Sequence, residues 1–137
     1  MKIMIVDPDW CFLQQARGYL ESRGHHTIYE PHAQSALERA GHWHPDALLV
    51  SAELEEVADG TLLERLAALR PRPALLLTAA LERFDKAWRA WQHGGDEVLF
   101  KPMLNTSELN VALFNAMENA VCPARRPVHQ TGNALSA

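Results

Sequence analysis

Ala47-Leu48-Leu49-Val50-Ser51 is an unbroken apolar run closed by a hydroxyl, and its reading decides the fold. Four consecutive apolar residues without alternation suit a strand covered on both faces, as at the centre of a parallel sheet. The same character recurs upstream in Ile3-Met4-Ile5-Val6 and downstream in Ala74-Leu75-Leu76-Leu77-Thr78. Two further runs, residues 26–30 and 98–100, complete five predicted strands, and the mixed His26-Thr27-Ile28-Tyr29-Glu30 reads as a sheet edge. Between the strands, apolar residues recur at helical spacing over 10–23, 33–40, 60–69, 83–93 and 107–121. Gly24, Gly41 and Gly94 stand where they would end the first, second and fourth of these helices. Asn105-Thr106-Ser107-Glu108 has the form of a capping box for the last, whose apolar stripe runs through Leu109, Ala112, Leu113, Ala116, Met117 and Ala120.

Strict alternation of strand and helix with right-handed crossovers leaves few topologies. The expected one is an α/β, flavodoxin-like, doubly wound parallel sheet of five βα units in the order 2-1-3-4-5, over residues 1–121. Residues 122–137, with Pro123, Pro127 and Gly132 and no periodicity, read as a disordered tail. In this topology ligands sit beyond the carboxyl ends of the strands. The residues delivered there are Asp7-Pro8-Asp9, Ser51, Thr78 and Lys101-Pro102.

Composition bounds the function. A chain of 137 residues, 47% hydrophobic and 22% charged, has room for one globular domain. Its apolar stretches fall short of the ~20 residues of a membrane span, and Met1-Lys2-Ile3 runs straight into a short β-like segment with no signal peptide. A cytoplasmic location without membrane contact is expected. The formal charge of −4 leaves no basic footprint for nucleic acid. Cys11 and Cys122 stand in unrelated contexts and read as free thiols in a reducing compartment.

The residues at the strand ends resemble the receiver domain of two-component response regulators, over essentially residues 1–121. That family carries an acidic pair after strand one, an acceptor Asp after strand three, Thr or Ser after strand four and Lys-Pro after strand five. Asp7, Thr78 with Ala79, and Lys101-Pro102 match three of these positions. Gly94-Gly95-Asp96-Glu97-Val98-Leu99-Phe100-Lys101-Pro102 is similar to the family's segment leading to Lys-Pro, and Pro45-Asp46 leads into strand three as in the family. The resemblance implies a signalling module working with a kinase or another regulator in a phosphorelay.

The departures carry equal weight. Pro8 stands at the second acidic position, Ser51 at the acceptor, and Val98 where the resemblance implies the switch aromatic. Magnesium is held near-octahedrally by oxygens, usually one or two carboxylates with waters and phosphate, so Asp7 alone is a poor site and neither metal nor cofactor is expected. Asp9, after a Pro and ahead of a helix, reads as a carboxylate favoured by the helix dipole. Ser51 lacks the flanking glycines of a nucleophile elbow, and Asp7-Pro8-Asp9-Trp10 lacks a Gly-rich phosphate cradle, so no enzyme is expected. Lys101 is short of counter-charge, and the loop after Ser51 supplies Glu53, Glu55 and Glu56. Either one of these folds back onto it or they form a solvated acidic rim.

Two clusters remain. His25, His26, His42 and His44 fall at the opposite sheet end, without the Cys or carboxylate spacing of a zinc site. Trp88 and Trp91 share one side of the fourth predicted helix, which the resemblance places on a face used for dimerisation and partner binding. Trp91 is expected outward as an anchor, beside Val98, and Trp88 in the core. The sequence therefore reads as an atypical pseudo-receiver, a phosphorylation-independent protein-interaction module. Its contact face, also a candidate homodimer face, would be helix four, strand five and helix five. The alternative is a small-ligand sensor using the vacated pocket around Asp7, Asp9, Ser51, Thr78, Lys101 and Pro102.

Overall fold

The computed structural model describes residues 1–122; apart from Cys122, the expected tail lies outside them. Five strands, β1 (Lys2–Val6), β2 (His26–Tyr29), β3 (Ala47–Ser51), β4 (Ala74–Ala80) and β5 (Glu97–Lys101), form one parallel sheet in the order β2-β1-β3-β4-β5. The helices are α1 (Trp10–Ser22), α2 (Ala33–Trp43), α3 (Glu55–Ala58), α4 (Thr61–Ala67), α5 (Phe84–Gln92) and α6 (Ser107–Val121), with a 3-10 turn at Leu81–Arg83. This is the flavodoxin-like architecture expected from the strand-helix alternation.

The two-residue period of a strand sorts the apolar runs onto two faces. Met4, Val6, Leu48, Val50, Leu75 and Leu77 pack with α2, α4 and α5. Ile3, Ile5, Ala47, Leu49, Ala74 and Leu76 pack with α1 and α6. Because both faces are covered, the central strands, after the Lys2 that opens β1, have no polar side chain until their carboxyl ends. There the alternation gives way to Asp7, Ser51 and Thr78, all buried.

Local details depart from the sequence reading in two places. The helix expected over 60–69 is α4, but a short helix not expected from the sequence, α3, precedes it, the two separated at Gly60, whose φ of 88° is open to glycine and strained for other residues. A side chain at Gly60 would also run into the ring of His93. Gly41 does not end α2. The helix continues to Trp43, which packs against the core, and stops at His44, in the left-handed region at φ 54° ahead of Pro45. Gly24 and Gly94 do follow α1 and α5 with positive φ. Before α6, Asn105 Oδ1 accepts from the Ser107 amide at 2.9 Å and Glu108 Oε2 from the Asn105 amide at 3.1 Å, so the reciprocal box is built on Asn105 and Glu108.

Candidate functional site

The parallel register sets Ser51 opposite Thr78 and Ala80 opposite Lys101, so β3, β4 and β5 deliver their polar ends to one point beside the end of β1. Asp7 is its centre. Its Oδ2 accepts the Thr78 hydroxyl at 2.6 Å, its Oδ1 accepts the Asp9 amide at 2.9 Å, and Lys101 Nζ lies 3.1 and 3.2 Å from the two oxygens. A buried carboxylate needs such a set of donors, and here the chain supplies all of them.

Lys101 is fixed from the other side as well. Its ammonium lies 3.5 Å from Asp9 Oδ2 and 5.1 Å from the centroid of the Phe12 ring. Asp9 is the N-cap of α1, accepting the Phe12 amide at 3.1 Å, which makes its placement at the helix start a capping effect. None of the three loop glutamates reaches Lys101. Glu53 instead accepts the Ala80 amide at 3.2 Å, tying the β3 loop to the end of β4, while Glu55 and Glu56 lie exposed on α3. The reason is that Asp7 and Asp9 already neutralise the ammonium.

Ser51 is buried, with its Oγ accepting the Glu53 amide at 3.2 Å. Beside it opens a cavity of about 500 Å³ whose wall includes Asp7, Asp9, Ser51, Glu53, Lys101 and Pro102. Thr78 stands behind Asp7 rather than on this wall. The donor set does not fit a magnesium ion. Both Asp7 oxygens are engaged by Lys101, and no group of three His, Cys, Asp or Glu among the described residues could hold a metal. The histidines at the far end form no such group either; His25 Nδ1 lies 3.1 Å from the terminal amine of Met1.

The tryptophans on α5 exchange their expected places. Trp91 packs against the core with Val98 and Phe100, whereas Trp88 is exposed. Ala87 and Ala90 face the sheet, and Trp91, four residues after Ala87, follows them inward. Trp88 pairs across one turn with Phe84, their ring centroids 6.4 Å apart, and Phe84 in turn stacks on Phe100 at 6.2 Å. Phe84 was missed in the sequence, although its spacing of four from Trp88 is the signal. A second omission is Arg72, which grips both oxygens of the buried Asp96 at 2.8 and 3.2 Å while Asp96 also accepts the Leu75 amide. This clamp orders the turn into β5. Among the described residues no helix is long and apolar enough to cross a membrane.

No protein-family model and no curated protein sequence matches the chain. Solved structures do. A two-component response regulator from Clostridium difficile superposes with a TM-score of 0.73 at 20% identity, covering 86% of this chain and 96% of its own. A putative response regulator from Chloroflexus aurantiacus gives 0.74 at 22%, covering 85% and 97%. The receiver domain of a sensor histidine kinase from Pseudomonas aeruginosa, solved with a magnesium ion coordinated in its active-site cleft, gives 0.73 at 18%, covering 85% and 97%. The fold of this chain is thus the one shared by response-regulator receiver domains.

Proposed function

We propose that the chain is a pseudo-receiver: a receiver fold that acts in bacterial signal transduction as a protein-interaction module, without phosphorylation and without catalysis. The observation that carries this reading is the closed set Thr78–Asp7–Lys101 beside Ser51. A receiver that works by phosphate needs a carboxylate acceptor and a metal to neutralise the phosphoryl group. Here the acceptor position carries a hydroxyl, the second acidic position carries Pro8, and the Lys101 ammonium already neutralises Asp7. The contact surface in this reading is α5, β5 and α6, on which Phe84 and Trp88 present exposed apolar area, with Leu81 of the preceding 3-10 turn beside them in sequence. Its partner is a signalling kinase, another regulator or a second copy, in the cytoplasm. Incubation with acetyl phosphate and Mg²⁺ followed by intact-mass measurement tests the proposal; an acid-labile, Mg²⁺-dependent adduct would refute it.

A second reading, a small-ligand sensor, is favoured by the cavity at Ser51, whose volume lies within the roughly 300–1,000 Å³ of small-molecule sites. Ordered ligand there, or stabilisation by a metabolite, would support it over the interaction module alone.

A further inference from the structure

We propose that the outward face of α6 is a docking site for the chain's own residues 123–137, running back along the helix. The face is apolar where a surface helix is ordinarily polar. Leu109, Ala112, Leu113 and Ala116 seat α6 on the core, while Val111, Phe114 and Val121 are 57%, 61% and 77% exposed. Spacings of three and four, through Glu118, put these three on one line of the helix. Beside that line opens a groove of about 570 Å³ whose apolar wall is Met1, Val111, Leu113, Phe114 and Met117. An apolar strip of this kind marks an interaction site.

The course of the chain selects the occupant. α6 stops at Val121; Cys122, with φ −127° and ψ 76°, leaves the helical region, and Pro123 bars a return to it. Back along the helix at 1.5 Å per residue, Glu118 lies about 6 Å and Phe114 about 12 Å from Cys122. After a turn of two residues, a segment advancing about 3.3 Å per residue brings Arg126 level with Glu118 and Val128 level with Phe114. Charge agrees with that register. α6 carries Glu108 and Glu118 and no Lys or Arg, whereas residues 123–137 carry Arg125 and Arg126 and no acid, in a chain of net charge −4. A second copy of α6 on the same line would instead set Glu118 against Glu118. Pro127 and Val128 supply the apolar side chains for the groove at Phe114 and Met117. The tether gives an effective concentration in the mM range, so a contact too weak to hold separate molecules suffices here. Since α6 also belongs to the contact surface proposed above, the docked segment competes with any partner that uses it.

Limited trypsin digestion of the full chain tests this. The Arg125–Arg126 bond is the cleavable one in the segment, because Arg126 precedes Pro127. It should be cut at least about tenfold more slowly than in a free peptide of residues 119–137, which corresponds to about 1.4 kcal/mol of docking. Phe114→Glu and Val128→Asp should each bring cleavage back to the peptide's rate. Phe114 is exposed, so its variant folds normally. Glu118→Gln should speed cleavage by up to about fivefold, the loss of one exposed ion pair. In the wild-type chain, nuclear Overhauser effects should connect the Val128 methyl groups with the Phe114 ring. Cleavage of the wild-type chain at the peptide's rate, or slow cleavage that Phe114→Glu leaves unchanged, overturns the proposal. Protection that appears only as a dimer forms in sedimentation, and vanishes on dilution, also overturns it and assigns the face to a second copy. The docking does not rest on the pseudo-receiver reading: a phosphoryl adduct in the acetyl phosphate experiment would refute that reading and leave every arm of this test standing.

Discussion

The ammonium of Lys101 lies 3.1 Å from Oδ2 of Asp7, and the two side chains are 8% and 0% exposed. Such a pair is expensive to half-remove, because one charge is left buried without its partner. Lys101→Met should therefore destabilise the domain by about 3–5 kcal/mol, and Lys101→Met combined with Asp7→Leu should recover most of that loss. Denaturant unfolding of the single and double variants measures both. A neutral Lys101→Met would mean that Asp9 and Thr78 alone hold Asp7.

On the pseudo-receiver reading, a carboxylate at position 51 alone should not create a metal site. Ser51→Asp adds one carboxylate, but Asp7 stays engaged with Lys101 and Pro8 still contributes none. Calorimetry should find no tight Mg²⁺ site in Ser51→Asp, and a measurable one only when Pro8→Asp is added. Tight binding by the single variant contradicts this account.

The two tryptophans of α5 should separate stability from association. Trp91 packs on the core, so Trp91→Ala should cost stability toward the lower end of the about 3–5 kcal/mol of core Trp truncations, since the ring is only half-buried. Trp88→Ala should leave the melting temperature nearly unchanged and weaken self-association or partner capture, as for an exposed aromatic anchor. Equal effects of the two on stability would show that Trp88 is only a packing residue.

Gly18 sits inside α1, and a Cβ built there meets nothing within 4 Å. Gly18→Ala should then stabilise the domain by about 0.5–1 kcal/mol, read as a raised melting temperature, because the unfolded chain loses freedom and the folded one gains no clash.

Mild acid should act through His25. Burial, then the positive charges of the chain terminus and Arg23, hold its imidazole below the ordinary histidine value. The unfolded chain therefore takes up a proton at about pH 6.5 more readily than the folded one, and stability falls with pH through that value. The contribution is fully present above it and lost as pH drops through the folded value. His25→Asn should flatten the stability profile in this window while leaving the more acidic limb in place.

The sequence by itself determined the architecture. Runs such as 47–50 and 74–77 are apolar without alternation, and a strand of that kind is satisfied only between two layers of helices. The order of the runs then placed Asp7, Ser51, Thr78 and Lys101 at the same end of the sheet, because every strand of a βα repeat points the same way. The absence of a carboxylate at Ser51 and Pro8 was legible for the same reason.

Tertiary structure decided what those residues do to one another. Lys101 has carboxylates near in sequence at neither Asp7 nor Asp9, 94 and 92 positions away in number, and only the adjacency of strand ends makes that pair outcompete Glu53, Glu55 and Glu56. Glu53 was free, as a consequence, to bond the Ala80 amide. The same holds for Trp88 and Trp91: a spacing of three places both on one side of a helix but leaves a rotation of the helix open. That rotation is set by Ala87 and Ala90 seated on the sheet, which turns Trp91 toward Val98 and Phe100 and Trp88 toward Phe84 and solvent. Periodicity names the side chains that share a face; the partner surface chooses which way the face turns.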